Sequence, residues 1–306
     1  MRAFIFPGQG SQSVGMGKAL AESSSVAREL FQEVDEALGQ NLARLMADGP
    51  IEDLTLTENA QPAIMANALA TFRVSGIDIR KADFVAGHSL GEYTALAAAG
   101  SFDVATAARL LKLRGRAMQA AVPVGQGAMA ALLGASVDLA RKVAEAAAEG
   151  EVCTVANDND PSQVVISGHR GAVERALTIA KDMGAKRAVL LPVSAPFHSP
   201  LMEPAARAME QALADAKLAA PSVPLYANVT AAPVRDADEI RTLLVEQVTG
   251  MVRWRESVAA MAKAGVTHFV EFGGKVLSPM VKRIAPDAQT TSVVSLEDID
   301  ALVREL

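Results

Sequence analysis

Six segments between residues 128 and 193 constrain this chain most. AMAALLG (128–134), VCTVAND (152–158), QVVISG (163–168) and RAVLLPV (187–193) are short, apolar and strand-like. SVDLARKVAEAAAEG (136–150) and AVERALTIAKDMG (172–184) repeat at helical spacing and end on glycine. The resulting order, β-α-β-β-α-β, is that of a ferredoxin-like unit. On either side the strand candidates AFIF (3–6), DFVAG (83–87), VPLYANV (223–229) and THFVEFG (267–273) alternate with helical patterns. That alternation predicts an α/β fold with a mostly parallel sheet. The expected organisation is a large domain made of residues 1–124 and 194–306, with a small ferredoxin-like subdomain, 125–193, inserted into it. Ligands favour the cleft between such units.

GHSLGEY (87–93) follows one of these strands and precedes a helical run that Gly100 would end. Glycine, any residue, serine, any residue, glycine between strand and helix matches a nucleophile elbow, in which a tight turn presents the hydroxyl. The bland alternative is a serine capping a helix in a glycine-rich turn. In the elbow reading the N–H of Leu90, at the helix start, faces a developing oxyanion, and the helix dipole favours its charge.

A serine nucleophile needs a base, and the chain has four histidines. His88 adjoins the serine and points elsewhere. His169 sits in the polar SGHRG turn and reads as solvated, and His268 lies in an apolar strand and reads as structural. His198, in the proline-bounded loop VSAPFHSPLM where the inserted unit returns to the large domain, is left as the base by elimination. No carboxylate stands out between Ser89 and His198, where hydrolases of this kind carry their acid. A backbone carbonyl can hold the imidazole instead, giving a weaker base that suffices for a thioester.

Residues 104–122 repeat as a helix, with Ala107, Leu110, Leu111, Met118 and Ala121 on one apolar face. Arg109, Lys112, Arg116 and Gln119 fall opposite, as a solvated face. Arg114 projects into the apolar stripe, and a buried guanidinium needs an anion. Two readings stand open: an internal ion pair with Asp or Glu, or a site for a substrate carboxylate gripped through two N–H groups. The loop FPGQGSQ (6–12) after the first strand belongs at the ligand edge of such a sheet. It lacks the lysine and spacing of a phosphate loop, and the N–H of Gln9 could serve an oxyanion instead.

The remaining composition narrows the class. A formal net charge of −6 gives no reason to expect nucleic acid. No apolar run approaches the roughly 20 residues of a membrane span, and the N-terminal apolar stretch is too short for a signal peptide. The single cysteine, Cys153, lies in an apolar run and reads as a buried thiol in a reducing compartment, so the expected location is the cytoplasm. No Cys/His cluster or HExxH pattern suggests a metal, and no cofactor is expected.

FPGQGSQ, GHSLGEY, LRGRAMQ, NDPSQVVISG, PFHSPLM and GGKVLSPM occur in the order in which they mark the malonyl-CoA:acyl carrier protein transacylase family of type II fatty acid synthesis, which the chain resembles over essentially its whole length. The resemblance implies a hydrolase-like α/β core with a ferredoxin-like insert. It implies transfer of malonyl from malonyl-CoA to acyl carrier protein, with Ser89 as nucleophile, His198 as base, and Gln9 and Leu90 as the oxyanion hole. Arg114 would hold the malonyl carboxylate, Phe197 and Met118 would shape the acyl site, and the backbone carbonyl of Gln247 would orient the histidine. Two stretches depart from the family pattern. VTGMVRW follows Gln247 where Asn-Pro is usual, and EFGGK lacks a proline and one residue. A monomer is expected, with Lys275, Lys282 and Arg283 as candidates for meeting an acidic carrier protein. A serine esterase, or a carrier-binding module with no chemistry of its own, are the competing readings.

Overall fold

The computed structural model describes residues 1–193 and 195–306; Ser194, where the second segment of the large domain is expected to begin, lies outside the described residues. Its strands are β1 (Arg2–Phe6), β2 (Phe84–Gly87), β3 (Gly127–Leu133), β4 (Cys153–Asp160), β5 (Gln163–His169), β6 (Arg187–Leu190), β7 (Leu225–Ala227), β8 (Ala232–Val234), β9 (His268–Phe272) and β10 (Gln289–Val293). They form two sheets, a six-stranded one in the order β10-β9-β1-β2-β7-β8 and a four-stranded one in the order β4-β5-β3-β6.

The large sheet is parallel except for its last pair, β7 with β8. Alternation along β1 explains why both faces are covered. Phe4 and Phe6 enter one core, where they meet Phe72 and Phe272, while Ala3 and Ile5 enter a second core with Trp254 and Phe269. β1 and β2 pair with Phe6 opposite Gly87, so the loops that follow both strands emerge side by side. That is where an open parallel sheet binds its ligands.

The small sheet is antiparallel, and its order is the ferredoxin-like one. Ala128, Ala130 and Leu132 of β3 pack under the helices Val137–Ala148 and Arg170–Asp182. Met129 and Ala131 alternate to the other face, where Phe197 packs. β4 runs on to Asp160, two residues beyond the strand expected at 152–158. Two buried carboxylates near this end pair with arginines remote in the chain, Asp158 with Arg255 at 2.8 Å and Asp160 with Arg283 at 2.7 Å. Val252, in the first altered loop, bridges to Asn157 of the same strand.

Three sequence readings are corrected. Lys112 is not on a solvated face: it is 8% exposed, and its Nζ donates to Gln40 and Asn59 at 2.8 Å each and lies 3.2 Å from Glu58. The helix Val104–Ala120 is overlaid by a second layer, which includes the helices Ser25–Leu38 and Thr57–Val74, so more than one of its faces is covered. Gln119, read as solvated, lines the cavity described below. His169 ends β5, and its Nδ1 accepts the N–H of Val152 at 2.9 Å, so it has a structural partner.

Candidate active site

Ser89 sits between strand and helix with a φ of 54°, in the left-handed region, and both flanking glycines are required by close backbone approach. A Cβ at Gly87 would lie 1.9 Å from the carbonyl oxygen of Gly91, and one at Gly91 would lie 2.3 Å from that of Phe6. The helix Gly91–Ala98 starts immediately after the turn, with Leu90 at its N-cap. Asn228, just beyond β7, staples the elbow. Its Oδ1 accepts the Ser89 N–H at 2.8 Å and its Nδ2 donates to the Gly87 carbonyl at 2.7 Å.

His198 comes from the loop after the small sheet, is 4% exposed and also has a φ of 54°. Its Nε2 lies 2.7 Å from Ser89 Oγ, and its Nδ1 lies 2.8 Å from the main-chain carbonyl of Gln247. A carbonyl can only accept, so Nδ1 carries the proton and Nε2 is free to take one from the serine. Burial holds this imidazole down to about 3, helped by the nearby charge of Arg114, so it stays neutral at physiological pH.

Arg114 is 1% exposed. Among the described residues it forms no ion pair. Nη1 donates to Gln61 Oε1 at 2.8 Å, and Nη2 donates to Gln247 Oε1 at 2.7 Å and to Ser89 Oγ at 3.1 Å. The Tyr93 ring lies 5.7 Å from its carbon, and its Nε–H has no partner among the described residues. A buried cation held by neutral amides, beside a cavity, is arranged to receive an anion.

These groups line one cavity of about 450 Å³. Gln9, Leu90, Met118 and Phe197 line it with Ser89, Arg114 and His198. Gln9 is brought there by the tight packing of its loop, since a Cβ on Gly8 would meet the His88 carbonyl at 2.7 Å. The Gln9 side chain accepts from Thr57 at 3.2 Å. Met118 is buried, and its sulfur accepts from Gln61 at 3.8 Å. The other histidines have structural partners, His88 with Asn159 and His268 with Thr291.

Sequence reasoning missed Gln61, Asn228 and Glu92. Glu92 is 2% exposed: its Oε1 accepts the Asn228 N–H at 2.8 Å and its Oε2 accepts from Gln247 Nε2 at 2.5 Å. Burial pushes it up to about 7. Its place in GHSLGEY is the one signal that could have pointed to it. The candidate docking cations Lys275, Lys282 and Arg283 are all exposed; Lys282 donates to the carbonyls of Pro286 and Ala288, and Arg283 pairs with Asp160. In the shortened loop the Glu271 carboxylate accepts the N–H groups of Val276, Leu277 and Ser278, capping the next helix.

Residues 3–279 match the family described as acyl transferase domain. The malonyl CoA-acyl carrier protein transacylase of Escherichia coli (strain K12) is 46% identical over 99% of both chains. An acyl-carrier-protein-S-malonyltransferase from Bartonella henselae superposes with a TM-score of 0.97 at 51% identity, over 99% of this chain and 98% of that one. A malonyl-transacylase solved in complex with its type II PKS acyl-carrier protein superposes with a TM-score of 0.96 at 38% identity, over 100% and 99%.

Proposed function

This chain belongs to the malonyl CoA-acyl carrier protein transacylase family, and on that premise we propose which of its residues perform the transfer. It is an acyltransferase of fatty acid synthesis that moves malonyl from malonyl-CoA to the thiol of acyl carrier protein. Ser89 Oγ attacks the thioester carbonyl while its proton passes to His198 Nε2. The N–H groups of Gln9 and Leu90 hold the tetrahedral oxyanion. Collapse expels the CoA thiolate, which takes the proton from His198 and leaves malonyl esterified to Ser89. The carrier's thiol then gives its proton to His198 and attacks the ester, and the departing serine oxygen recovers that proton. Through both halves Arg114 holds the free carboxylate, with Phe197 and Met118 bounding the acyl group and the Gln247 carbonyl fixing the imidazole.

The observation that supports this most is the joint approach of His198 and Arg114 to one oxygen, at 2.7 and 3.1 Å. Nucleophile activation and carboxylate recognition thereby meet at a spacing that suits a short dicarboxylic acyl group. Intact-mass measurement after mixing with malonyl-CoA tests the assignment. A malonyl adduct on Ser89 that moves to added carrier protein is expected. Rapid loss of the adduct to water would make the chain an esterase, and no adduct would leave it a binding module.

We also assign residues 125–193 as the small domain and 1–124 with 194–306 as the large one. We propose further that the chain acts as a monomer, the site as assigned needing no residue of a second copy, and that it works in the cytoplasm, a reducing compartment that suits the lone Cys153. Sedimentation at a dimer mass would overturn the monomer.

A further inference from the structure

We propose that Glu92 is a positioning residue, which locks the Gln247 side-chain amide in the one orientation that presents its oxygen to Arg114. The proposal rests on the malonyl-transfer reading for its consequence, though not for its geometry.

An amide side chain can turn over with little change of shape, exchanging an acceptor for two donors. At Gln247 the neighbours decide which way it faces. Arg114 Nη2 can only donate, and it lies 2.7 Å from Oε1. Three acceptors surround Nε2: Glu92 Oε2 at 2.5 Å, the Ser89 carbonyl at 3.0 Å and Asn228 Oδ1 at 3.2 Å. Two N–H groups cannot serve all three equally, and the shortest distance belongs to the charged one.

Glu92 is itself fixed by the backbone. Its Oε1 accepts the Asn228 main-chain N–H at 2.8 Å, a donor that cannot turn over. Its place in the first turn of the helix Gly91–Ala98 puts its charge at the favourable end of the helix dipole. Glu92, Gln247 and Arg114 thus form a relay in which a buried anion reaches a buried cation through one neutral amide. The same residue, Gln247, carries the carbonyl that holds His198. Releasing its side chain therefore disturbs both Arg114 and the base.

Glu92→Gln tests this with almost no change of volume. The new NH₂ faces that of Gln247, so one amide must turn, and a turned Gln247 meets Arg114 donor to donor. Malonyl transfer is expected to fall about tenfold or more, and the preference for malonyl over acetyl to fall with it. Glu92→Asp keeps a carboxylate for the Gln247 amide but loses a methylene. It is expected to retain at least several-fold more transfer than E92Q, the reverse of the order a packing defect would give. An E92Q enzyme with wild-type transfer and wild-type preference would overturn the proposal, as would an E92D enzyme more impaired than E92Q. A crystal structure of E92Q gives a readout that needs no acyl substrate: Arg114 Nη2 is expected to leave the oxygen of Gln247. If the wild-type enzyme forms no malonyl adduct, the transfer reading fails, and that structure still decides the role of Glu92. An unmoved Arg114–Gln247 contact would refute it.

Discussion

Arg114 and His198 converge on one hydroxyl: Arg114 Nη2 donates to Ser89 Oγ at 3.1 Å, while His198 Nε2 lies 2.7 Å from the same oxygen. With the hydroxyl proton directed at His198, the serine oxygen accepts from a cation while it waits. In the proposed reaction a substrate carboxylate would compete for that guanidinium and draw it from the attacking oxygen, whereas a monocarboxylic acyl group would leave it in place.

Arg114→Ala is therefore expected to separate the two kinds of acyl group. Loss of a buried, charge-assisted pair is worth about 3–4 kcal/mol, on the order of a hundredfold to a thousandfold. Malonyl transfer should fall by that factor, and acetyl transfer should fall far less or rise. Rates of Ser89 acylation from malonyl-CoA and acetyl-CoA, read by intact mass, check this. A variant that kept its preference for malonyl would place the carboxylate elsewhere.

The pH profile separates Glu92 from His198. His198 is lowered to about 3 by burial first and then by Arg114, with His88 adding and the Gln247 carbonyl opposing. A lowered imidazole is neutral from pH 5 upward, so its own protonation puts no acid limb near pH 7. Glu92 is raised to about 7 by burial, against the Asn228 N–H, the Gln247 amide and the charge of Arg114. As pH falls through about 7, Glu92 takes up a proton first, and the acceptor facing Gln247 is lost. An acid-side decline of kcat/KM near pH 7 is expected in the wild type, and a flat acid limb in E92Q. An unchanged decline in E92Q would return that limb to the histidine.

The elbow glycines make a stability prediction. A Cβ at Gly87 would lie 1.9 Å from a main-chain oxygen that cannot swing away. Gly87→Ala is expected to cost about 3 kcal/mol or more, seen as a melting temperature lowered by several degrees or as failure to fold. Gly100 has a φ of +81° with nothing near it, so its alanine variant should cost only about 1 kcal/mol. Equal losses at the two positions would mean that conformation, not close approach, selects Gly87.

Arg114 was legible because helical spacing sets one charge among apolar residues, and Ser89 because glycines at fixed offsets mark a tight turn. Lys112 was misread by the same periodicity, which locates faces but does not show how many are covered. Asp160, beyond the expected strand 152–158, gave no sign of being buried in β4, and neither did Asp158 at its end, since the arginines that neutralise them lie about a hundred residues further on. β10 was missed for a related reason. Its QTTSV is half-exposed at a sheet edge and carries no alternation. Gln61, Asn228 and Glu92 act through hydrogen bonds to groups remote in the chain, and nothing local in a polar side chain announces a remote partner.

Asn228 shows what such a remote residue contributes. Ser89 occupies a left-handed conformation that costs a non-glycine residue about 1–2 kcal/mol. Asn228 offsets this by pairing the Ser89 N–H at 2.8 Å and the Gly87 carbonyl at 2.7 Å, one with each end of its amide. Asn228→Ala leaves both backbone groups buried without that partner, at about 1–3 kcal/mol each. Asn228→Asp keeps an acceptor for the N–H but sets a carboxylate oxygen against a carbonyl, so it should not rescue. Both variants are expected to melt lower than the wild type and to acylate Ser89 at least about tenfold more slowly. An aspartate variant with wild-type melting and acylation would show that the Gly87 contact carries no weight, and that the elbow holds its shape through its glycines alone.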